Sequence, residues 1–415
     1  MRLASPTGVA RPPIVITGIG AVTPLGNGFD TVADALLAGR SGVRSIDPGP
    51  FARESRQFAA VVERIPPPPA GTTAVDAGAF AGLSRYEQLC ASCVAHAIAD
   101  AGLAADAPRL RIGLVLGLGA EHLKTWELDS LSGGTEVLQP ADDDTLVHRV
   151  AGMMRLHGPA VTVAAACASS GYALALGRSW VAAGWVDACV VGGCDVLSPT
   201  AVAAFYNLRA LSRRSDDPAK ASRPFDSGRD GFVMGEGGGC LVLERLETAR
   251  QRGGRVRGEL AGVGMSSDAA HMVTPCSDPT QAARAIARAL ADAAVAPEQL
   301  DYVNAHAAGT PVGDAAEAAA IRLALGTAAD RVPVSSTKSM SGHLISGAAA
   351  FEAVACLAAL HRQSVPPTLN LDDPDPACHL DHVPHTARAR PVRITASNSF
   401  GFGGANLCLV IRHAA

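Results

Sequence analysis

A chain of 415 residues exceeds the size at which one hydrophobic core stops growing, so two packed halves are expected. Hydrophobic residues at 48% against 18% charged exclude a disordered chain, and a net charge of -4 supplies no broad field for steering onto nucleic acid. Aromatics are only 4%, so the core has to be built from Ala, Val, Leu and Ile, with helices and strands in close approach.

The first strand signal is the apolar, β-branched run 14–17, followed by turn residues at Gly18, Gly20, Thr23, Pro24 and Gly26. The letters GIGAVT at 18–23 lack the third glycine of a dinucleotide fingerprint, and Pro24 stands where its helix would open, so nucleotide binding is not expected. A proline-rich loop, 65–70, precedes a helix over 83–101 that contains the pair Cys90 and Cys93. No second Cys or His pair stands at zinc spacing, so these are read as two core thiols on one helix face. Strands follow at 112–116 and 160–166, then a helix over 169–183 and a strand at 188–191. The second half brings a helix over 280–293, a strand at 302–304, a helix over 314–325, a strand at 332–335 and a helix over 347–360. Strands 394–397 and 407–411 close the chain as a hairpin around the glycine-rich loop 398–406.

Both halves repeat a short strand, a reactive-looking turn and an Ala-rich helix, which predicts a duplicated α/β core around a parallel sheet. The expected division is a tail at 1–13, an N-terminal half at 14–255 and a C-terminal half at 256–415. The uncharged stretch 158–177 has the length of a membrane span, but Pro159, three glycines, Thr162 and two serines interrupt it, so it is read as buried core. Residues 1–13 contain no unbroken apolar run of signal-peptide type, so a cytoplasmic protein is expected, its ten cysteines reduced and without a membrane segment.

Cys167 follows the strand-like run PAVTVAAA and precedes the helix that starts at Ser169. A thiol at that junction faces a helix N-terminus, whose dipole favours thiolate. His306 stands in NAHAAGTPVGD and His343, with Lys338, in SSTKSMSGHLISG, each at a strand-to-helix turn. Two histidines from equivalent turns could meet one thiol in a single pocket and offer ring N–H groups to a developing oxyanion. In NSFGFGGAN at 398–406, the glycines let a backbone N–H approach a substrate oxygen, and Phe400 and Phe402 could act as a gate. A structural hairpin turn would explain the same glycines.

Taken with RPFDSGRDGFVMGEGGG at 223–239, these segments, in this order and at these separations, resemble the β-ketoacyl-acyl carrier protein synthases of type II fatty acid synthesis. The resemblance runs from about residue 14 to 412. It implies a thiolase fold, an α/β five-layer α-β-α-β-α sandwich of two similar halves, and an acyltransferase active as a homodimer or as a heterodimer with a chain-length-factor-like subunit. On this resemblance Cys167 accepts an acyl chain as a thioester. His306 and His343 hold the thioester carbonyl of malonyl-carrier protein while CO2 leaves, and the backbone N–H groups of Cys167 and Phe400 form the oxyanion hole, in a loop with Gly401 and Gly403. Lys338 matches the family lysine and Glu352 its ionic partner, Asp314 and Glu317 match the neighbouring acidic pair, and Phe232 matches a phenylalanine that crowds the malonyl carboxylate. No metal or redox cofactor is implied, because the thioester supplies the activation and substrates arrive on the phosphopantetheine of acyl carrier protein.

Departures bear on substrate. Where the family writes HGTST, this chain has HAAGT, so Ala308 lacks a pantetheine-binding hydroxyl and contact rests on Thr310; Val273, in SSDAAHMVTP, replaces another small hydroxyl position. Phe205 is placed with these substrate-contacting positions. In GLGAEHLKTWE, Ala120 stands for a bulkier family residue beside Glu121 and His122, which reads either as a wider acyl pocket or as a polar surface. Arg209, Arg213 and Arg214, with Lys220 and Arg223 nearby, form either a carrier-protein dock or a solvated loop. The expected reaction is decarboxylative condensation in fatty acid or type II polyketide elongation, including polyene-like chains. A non-elongating acyltransferase and a pocket-shaping chain-length partner stay open, Cys167 arguing against the second. A degradative thiolase would need a second reactive cysteine, and Cys408 lies on the strand beyond the loop.

Overall fold

The computed structural model describes residues 12–46, 57–103, 110–119, 126–127, 129–130, 133–134, 145–214 and 216–414. Ten strands carry the architecture: β1 (Ile14–Thr23), β2 (Ile112–Gly117), β3 (Ala160–Val163), β4 (Ala188–Asp195) and β5 (Gly237–Arg245) in the first half, then β6 (Gly258–Ser267), β7 (Tyr302–Asn304), β8 (Pro333–Ser335), β9 (Ile394–Gly401) and β10 (Ala405–Arg412) in the second. The first five lie in the spatial order β3-β2-β4-β5-β1 and the second five in the order β8-β7-β9-β10-β6, the same topology twice. In each half three neighbours are parallel and the two strands beyond them antiparallel. The sheet is therefore mixed, where the sequence predicted a parallel one. Strands β5 and β6 escaped the sequence reading, the first because it opens on three glycines. The halves join through two residue pairs, Val15 with Glu259 and Ile16 with Gly258.

Five helices complete the layers: α1 (Arg85–Ala101), α2 (Ser169–Ala183), α3 (Thr280–Asp292), α4 (Pro311–Leu325) and α5 (Ala348–Arg362). Helix α1 covers one outer face and α3, with α4, the other; α2 and α5 pack on each other between the two half-sheets, giving the layer order α-β-α-β-α. Thirteen of the fifteen residues of α5, from Ala348 to Leu360, are buried. The stretch Ile345–Arg362 is long and apolar enough to cross a membrane, yet 83% of it is buried inside the protein, as expected of the helix at the centre of five layers. The start of α1 is fixed by a capping box in which Ser84 and Glu87 exchange side-chain and backbone bonds, and its end by Gly102 at φ 69°.

The glycines at 18 and 20, read from the sequence as turn residues, lie inside β1. A Cβ at Gly18 would strike the carbonyl oxygen of Ala97, and one at Gly20 that of Cys93, both on α1. The second half uses the same device: Gly262 and Gly264 of β6 lie against the carbonyls of Ala289 and Ala285 on α3. The Gly-x-Gly pairs thus let an outer helix rest its backbone on the sheet. Cys90 and Cys93 are fully buried on the inner face of α1, as the sequence predicted.

Gly20→Ala is expected to lower unfolding stability by about 1–3 kcal/mol or more, because strand and helix must separate. Gly152→Ala, in the helix Leu146–Met153 with open space around its Cα, is expected to be neutral or stabilising by up to about 1 kcal/mol. Urea unfolding of the two variants measures both; equal effects would refute the close-approach account.

Candidate active site

After β3 the chain enters a one-turn 3-10 segment, Ala166–Ala168, that carries Cys167 and leads into α2. Ala166 opens it at φ 49°, a left-handed backbone that non-glycine residues rarely adopt. The second half repeats this form after β8, where Ile345 at φ 47° opens the turn Ile345–Gly347 ahead of α5. Each turn packs on the other half: that of Cys167 against β9, that of Ser346 against β4. Gly401, at the end of β9, makes this approach possible, since a Cβ there would crowd the carbonyl of Ala165.

Cys167 is buried, and burial pushes its thiol up to about 12; the Lys338 charge and a hydrogen bond from the backbone N–H of Phe402 pull the other way, while Asp195 adds to the rise. The resting group is therefore a thiol, not the thiolate expected from the helix N-terminus alone: desolvation of a charged sulfur outweighs the dipole. The amide at the sulfur belongs to Phe402. Phe400, the sequence-based choice, lies within β9 in register with Asn406, and its contribution is a ring 5.9 Å from that of His306.

His306 follows β7 and its turn is held by Glu317 of α4, whose carboxylate accepts from the backbone N–H of His306 at 2.8 Å and of Ala307 at 2.6 Å and from Asn398 Nδ2 at 3.0 Å. Asp314 holds the rest of the HAAGT turn, accepting from the N–H groups of Gly309, Thr310 and Phe225. Burial pushes Glu317 up to about 7 and Asp314 to about 6. Asn398 carried no role in the sequence reading; its position in NSFGFGGAN was the available signal.

The imidazoles of His306 and His343 stand edge to face, 5.4 Å between centroids. Burial, and then the Lys338 charge, push both well below the usual imidazole range. Both rings are thus neutral, and their surroundings select the tautomer. The N–H of Ile345 donates to His343 Nδ1 at 3.2 Å, and Lys338 Nζ lies 3.5 Å from His306 Nδ1, leaving Nε2–H on each ring as a donor. Lys338 is itself buried and ion-paired with Glu352, whose carboxyl burial pushes up to about 7 against the pull of that ammonium. A hydrogen-bonded ion pair is what allows a lysine charge to persist there.

Cys167, His306 and His343 line one cavity of about 330 Å³, with Phe400, Phe402, Phe232 and Phe205 as its aromatic walls. Phe205 stacks edge-on against Phe232 at 5.2 Å and Phe402 at 6.0 Å, and Phe232 against His343 at 5.3 Å. Thr310, Val273 and Arg209 also reach the cavity, and Ala308 packs against Phe232 and Met234. Gly403, at φ 82°, turns the loop beyond Phe402. Ala120, Glu121 and His122 lie outside the described residues. Of the basic cluster, Arg213 and Arg214 lie on the segment that hydrogen-bonds Asp230 and Gly228, whereas Arg223 is buried and paired with Asp226 and Asp372 and so does not belong to a surface patch.

A thiol and two neutral N–H donors meeting in one cavity, where two copies of the same five-stranded unit face each other, define a thiolase-fold condensing enzyme, an acyltransferase. The chain matches the family models described as "Beta-ketoacyl synthase, N-terminal domain" over residues 11–249 and "Beta-ketoacyl synthase, C-terminal domain" over 257–372, and it belongs to the β-ketoacyl synthase family. It is 39% identical over 409 residues to a 3-oxoacyl-[acyl-carrier-protein] synthase 2 of Synechocystis sp., covering 96% of this chain and 97% of that protein. It is also 39% identical over 416 residues to a putative polyketide β-ketoacyl synthase 1 of Streptomyces halstedii, covering 96% and 97%. Among solved structures, the ishigamide ketosynthase/chain length factor matches with a TM-score of 0.84 and 32% identity, over 98% of this chain and 100% of that one.

A thiol held up to about 12 stays protonated throughout the neutral range, so alkylation of Cys167 by iodoacetamide is expected to rise about tenfold per pH unit from about pH 7 to about pH 9.5. Mass spectrometry of the Cys167 peptide follows the rate. A plateau below about pH 9 would show that the sulfur is already a thiolate.

Proposed function

We propose that this chain catalyses the decarboxylative condensation of a malonyl thioester on acyl carrier protein with an acyl group held on Cys167. The observation that carries this reading is the pair of neutral imidazoles that line one cavity with Cys167, each with Nδ1 occupied and Nε2–H left as the donor. In the first step Cys167 Sγ attacks the incoming thioester, the tetrahedral oxyanion is held by the N–H groups of Cys167 and Phe402, and the carrier thiol leaves with the proton that Cys167 gave up. In the second step the malonyl thioester oxygen accepts from Nε2–H of His306 and His343. The bond to the carboxylate breaks, CO2 leaves, and its electron pair becomes the enolate. Attack on the acyl carbon forms the new C–C bond and expels Cys167 sulfur, which takes up a proton. Neutral donors suit this step, because they stabilise the enolate oxygen without delivering a proton that would quench the nucleophile.

Lys338, Glu352, Asp314 and Glu317 act here as positioning residues, and Phe232 borders the malonyl carboxylate. The substrate arm enters past Thr310, Ala308 and Val273, beside a dock for the acidic carrier at Arg209, Arg213 and Arg214. The two halves, 14–255 and 256–415, are proposed as the units that supply the thiol and the imidazoles. The partner subunit is a second copy or a chain-length-factor-like chain, the latter supported by the likeness to the ishigamide ketosynthase/chain length factor. The reaction needs no resident cofactor, and a cytoplasmic setting follows that of carrier-protein chemistry.

Mass spectrometry of the enzyme with a short acyl-carrier protein and malonyl-carrier protein tests this reading. The β-ketoacyl product is expected with the native chain and lost with Cys167→Ala; His306→Ala and His343→Ala should still acylate Cys167 but decarboxylate about 10²–10³-fold more slowly. Acylation without CO2 release by the native chain would instead establish a non-elongating acyltransferase. Ala308→Thr is expected to lower KM for the carrier-linked substrate several-fold, about 1 kcal/mol for one restored hydrogen bond, with kcat unchanged. An unchanged KM would remove Ala308 from the substrate-binding positions.

A further inference from the structure

Thr310 stands at the N-cap of α4 and lines the catalytic cavity, yet it makes no side-chain cap bond to its own helix. A threonine in that place ordinarily turns its hydroxyl onto a first-turn N–H. Here the backbone around it is held from elsewhere. Asp314 accepts from the N–H of Gly309 and from that of Thr310, each at 3.1 Å, and the Gly309 carbonyl accepts from the N–H of Gly231 at 3.0 Å. The two carbonyls that follow are taken by one side chain. Arg229 Nε donates to the Thr310 carbonyl at 3.2 Å and Nη2 to the Pro311 carbonyl at 2.8 Å, while Nη1 donates to the Asp226 carbonyl at 2.9 Å and to Asp375 Oδ2 at 2.6 Å. Every backbone polar group from Gly309 to Pro311 is thus engaged, Pro311 having no N–H, and the Thr310 hydroxyl, which caps nothing, is left to the cavity.

Arg229 is buried, and its guanidinium lies against the first turn of α4, 3.9 Å from the Asp314 carboxylate. A helix N-terminus repels a cation, and Asp314 and Asp375 offset that cost. The planar fork spans two successive carbonyls, a shape that a lysine lacks, so charge alone does not account for an arginine at this place. We propose that Arg229 is a positioning residue of the substrate channel. It clamps the carbonyl side of the turn as Asp314 clamps the N–H side, so that the Thr310 hydroxyl keeps one direction toward the carrier-borne arm. Asp375, reaching in from the segment 372–375, holds the clamp from the surface. This assignment rests on the acylation of Cys167 from a carrier protein proposed above.

Acylation of Cys167 in the full chain by a short acyl-carrier protein, followed by intact-protein mass spectrometry over a range of carrier concentrations, gives a half-saturating concentration and a limiting rate. Arg229→Lys, which keeps the cation and loses the fork, is expected to raise the half-saturating concentration about three- to tenfold, with the limiting rate within about twofold of native. Thr310→Val should do the same. If Arg229 acts through that hydroxyl, Arg229→Lys adds no further rise in the Thr310→Val background, whereas a merely structural role would make the two effects multiply. Asp375→Asn keeps the side-chain acceptor for the N–H of Ala377 and loses the charge that Arg229 meets, so it should raise the half-saturating concentration by a smaller factor; it carries the test, in the same cycle with Thr310→Val, should Arg229→Lys fail to fold. Half-saturation unchanged in these variants, a loss confined to the limiting rate, or effects that multiply would overturn the assignment while leaving the proposed reaction intact. A native chain that is not acylated at all would overturn both.

Discussion

Two left-handed residues, Ala166 and Ile345, set the geometry on which the rest depends. Each interrupts the passage from a parallel strand to a central helix by a single tight turn, and each turn is received by a strand of the opposite half. A residue such as Ile, with a branched Cβ, is strained at φ 47° in a way that only surrounding packing can hold. That packing is the contact between halves: Gly401 receives the first turn and Gly347 lies against Gly193 in the second. The reactive thiol consequently belongs to neither half alone. Its backbone comes from the first, and the amide that hydrogen-bonds its sulfur comes from the second.

The electrostatics of the cavity follow from the burial of its groups. Burial disfavours every charge in it, and the protein keeps one ion pair, Lys338 with Glu352, close to the imidazoles. The lysine then has two effects of opposite use: it lowers the thiol, and it adds to the burial that keeps both histidines unprotonated. A histidine charged at rest would be an acid; a neutral one with Nδ1 engaged is a fixed dipole aimed at an oxygen. The acidic residues Asp314 and Glu317 direct their oxygens at backbone N–H groups of one turn, so their burial fixes where His306 stands.

Local signals carried much of this into the sequence. Helices with regular apolar spacing and clear ends, such as Ser169–Ala183, were readable to the residue, because periodicity and terminal glycine report on a single element. The Gly-x-Gly pairs were not. Their letters are those of a turn, and only the approach of α1 and α3 shows that a Cβ has no room; that the same pair recurs at 262–264 was a trace of duplication visible in the letters alone. Mixed rather than parallel order escaped for the same reason, since β5 and β6 are placed by pairing with distant strands. Of the site, Cys167, His306, His343 and Lys338 stood in recognisable motifs; the first three line one cavity, and Lys338 stands behind the His306 ring. Choosing between Phe400 and Phe402 required knowing where β9 ends, which is the kind of boundary a sequence fixes least well.

A duplicated fold raises the question of why there is one nucleophile. Ser346 occupies in the second half the place that Cys167 holds in the first, one residue past the left-handed turn opener and at the mouth of a central helix. What differs is the group that the opposite strand presents. Ser346 Oγ sits 2.7 Å from Asp195 Oδ2 and 2.9 Å from the carbonyl of Cys194, both acceptors, so its proton is bound and the hydroxyl is held as a structural strut. Cys167 meets instead the N–H of Phe402, a donor that favours the sulfur once its proton has gone. An acceptor retains a proton and a donor releases it. The same backbone, offered these two partners, yields a lock between the halves at one turn and a nucleophile at the other.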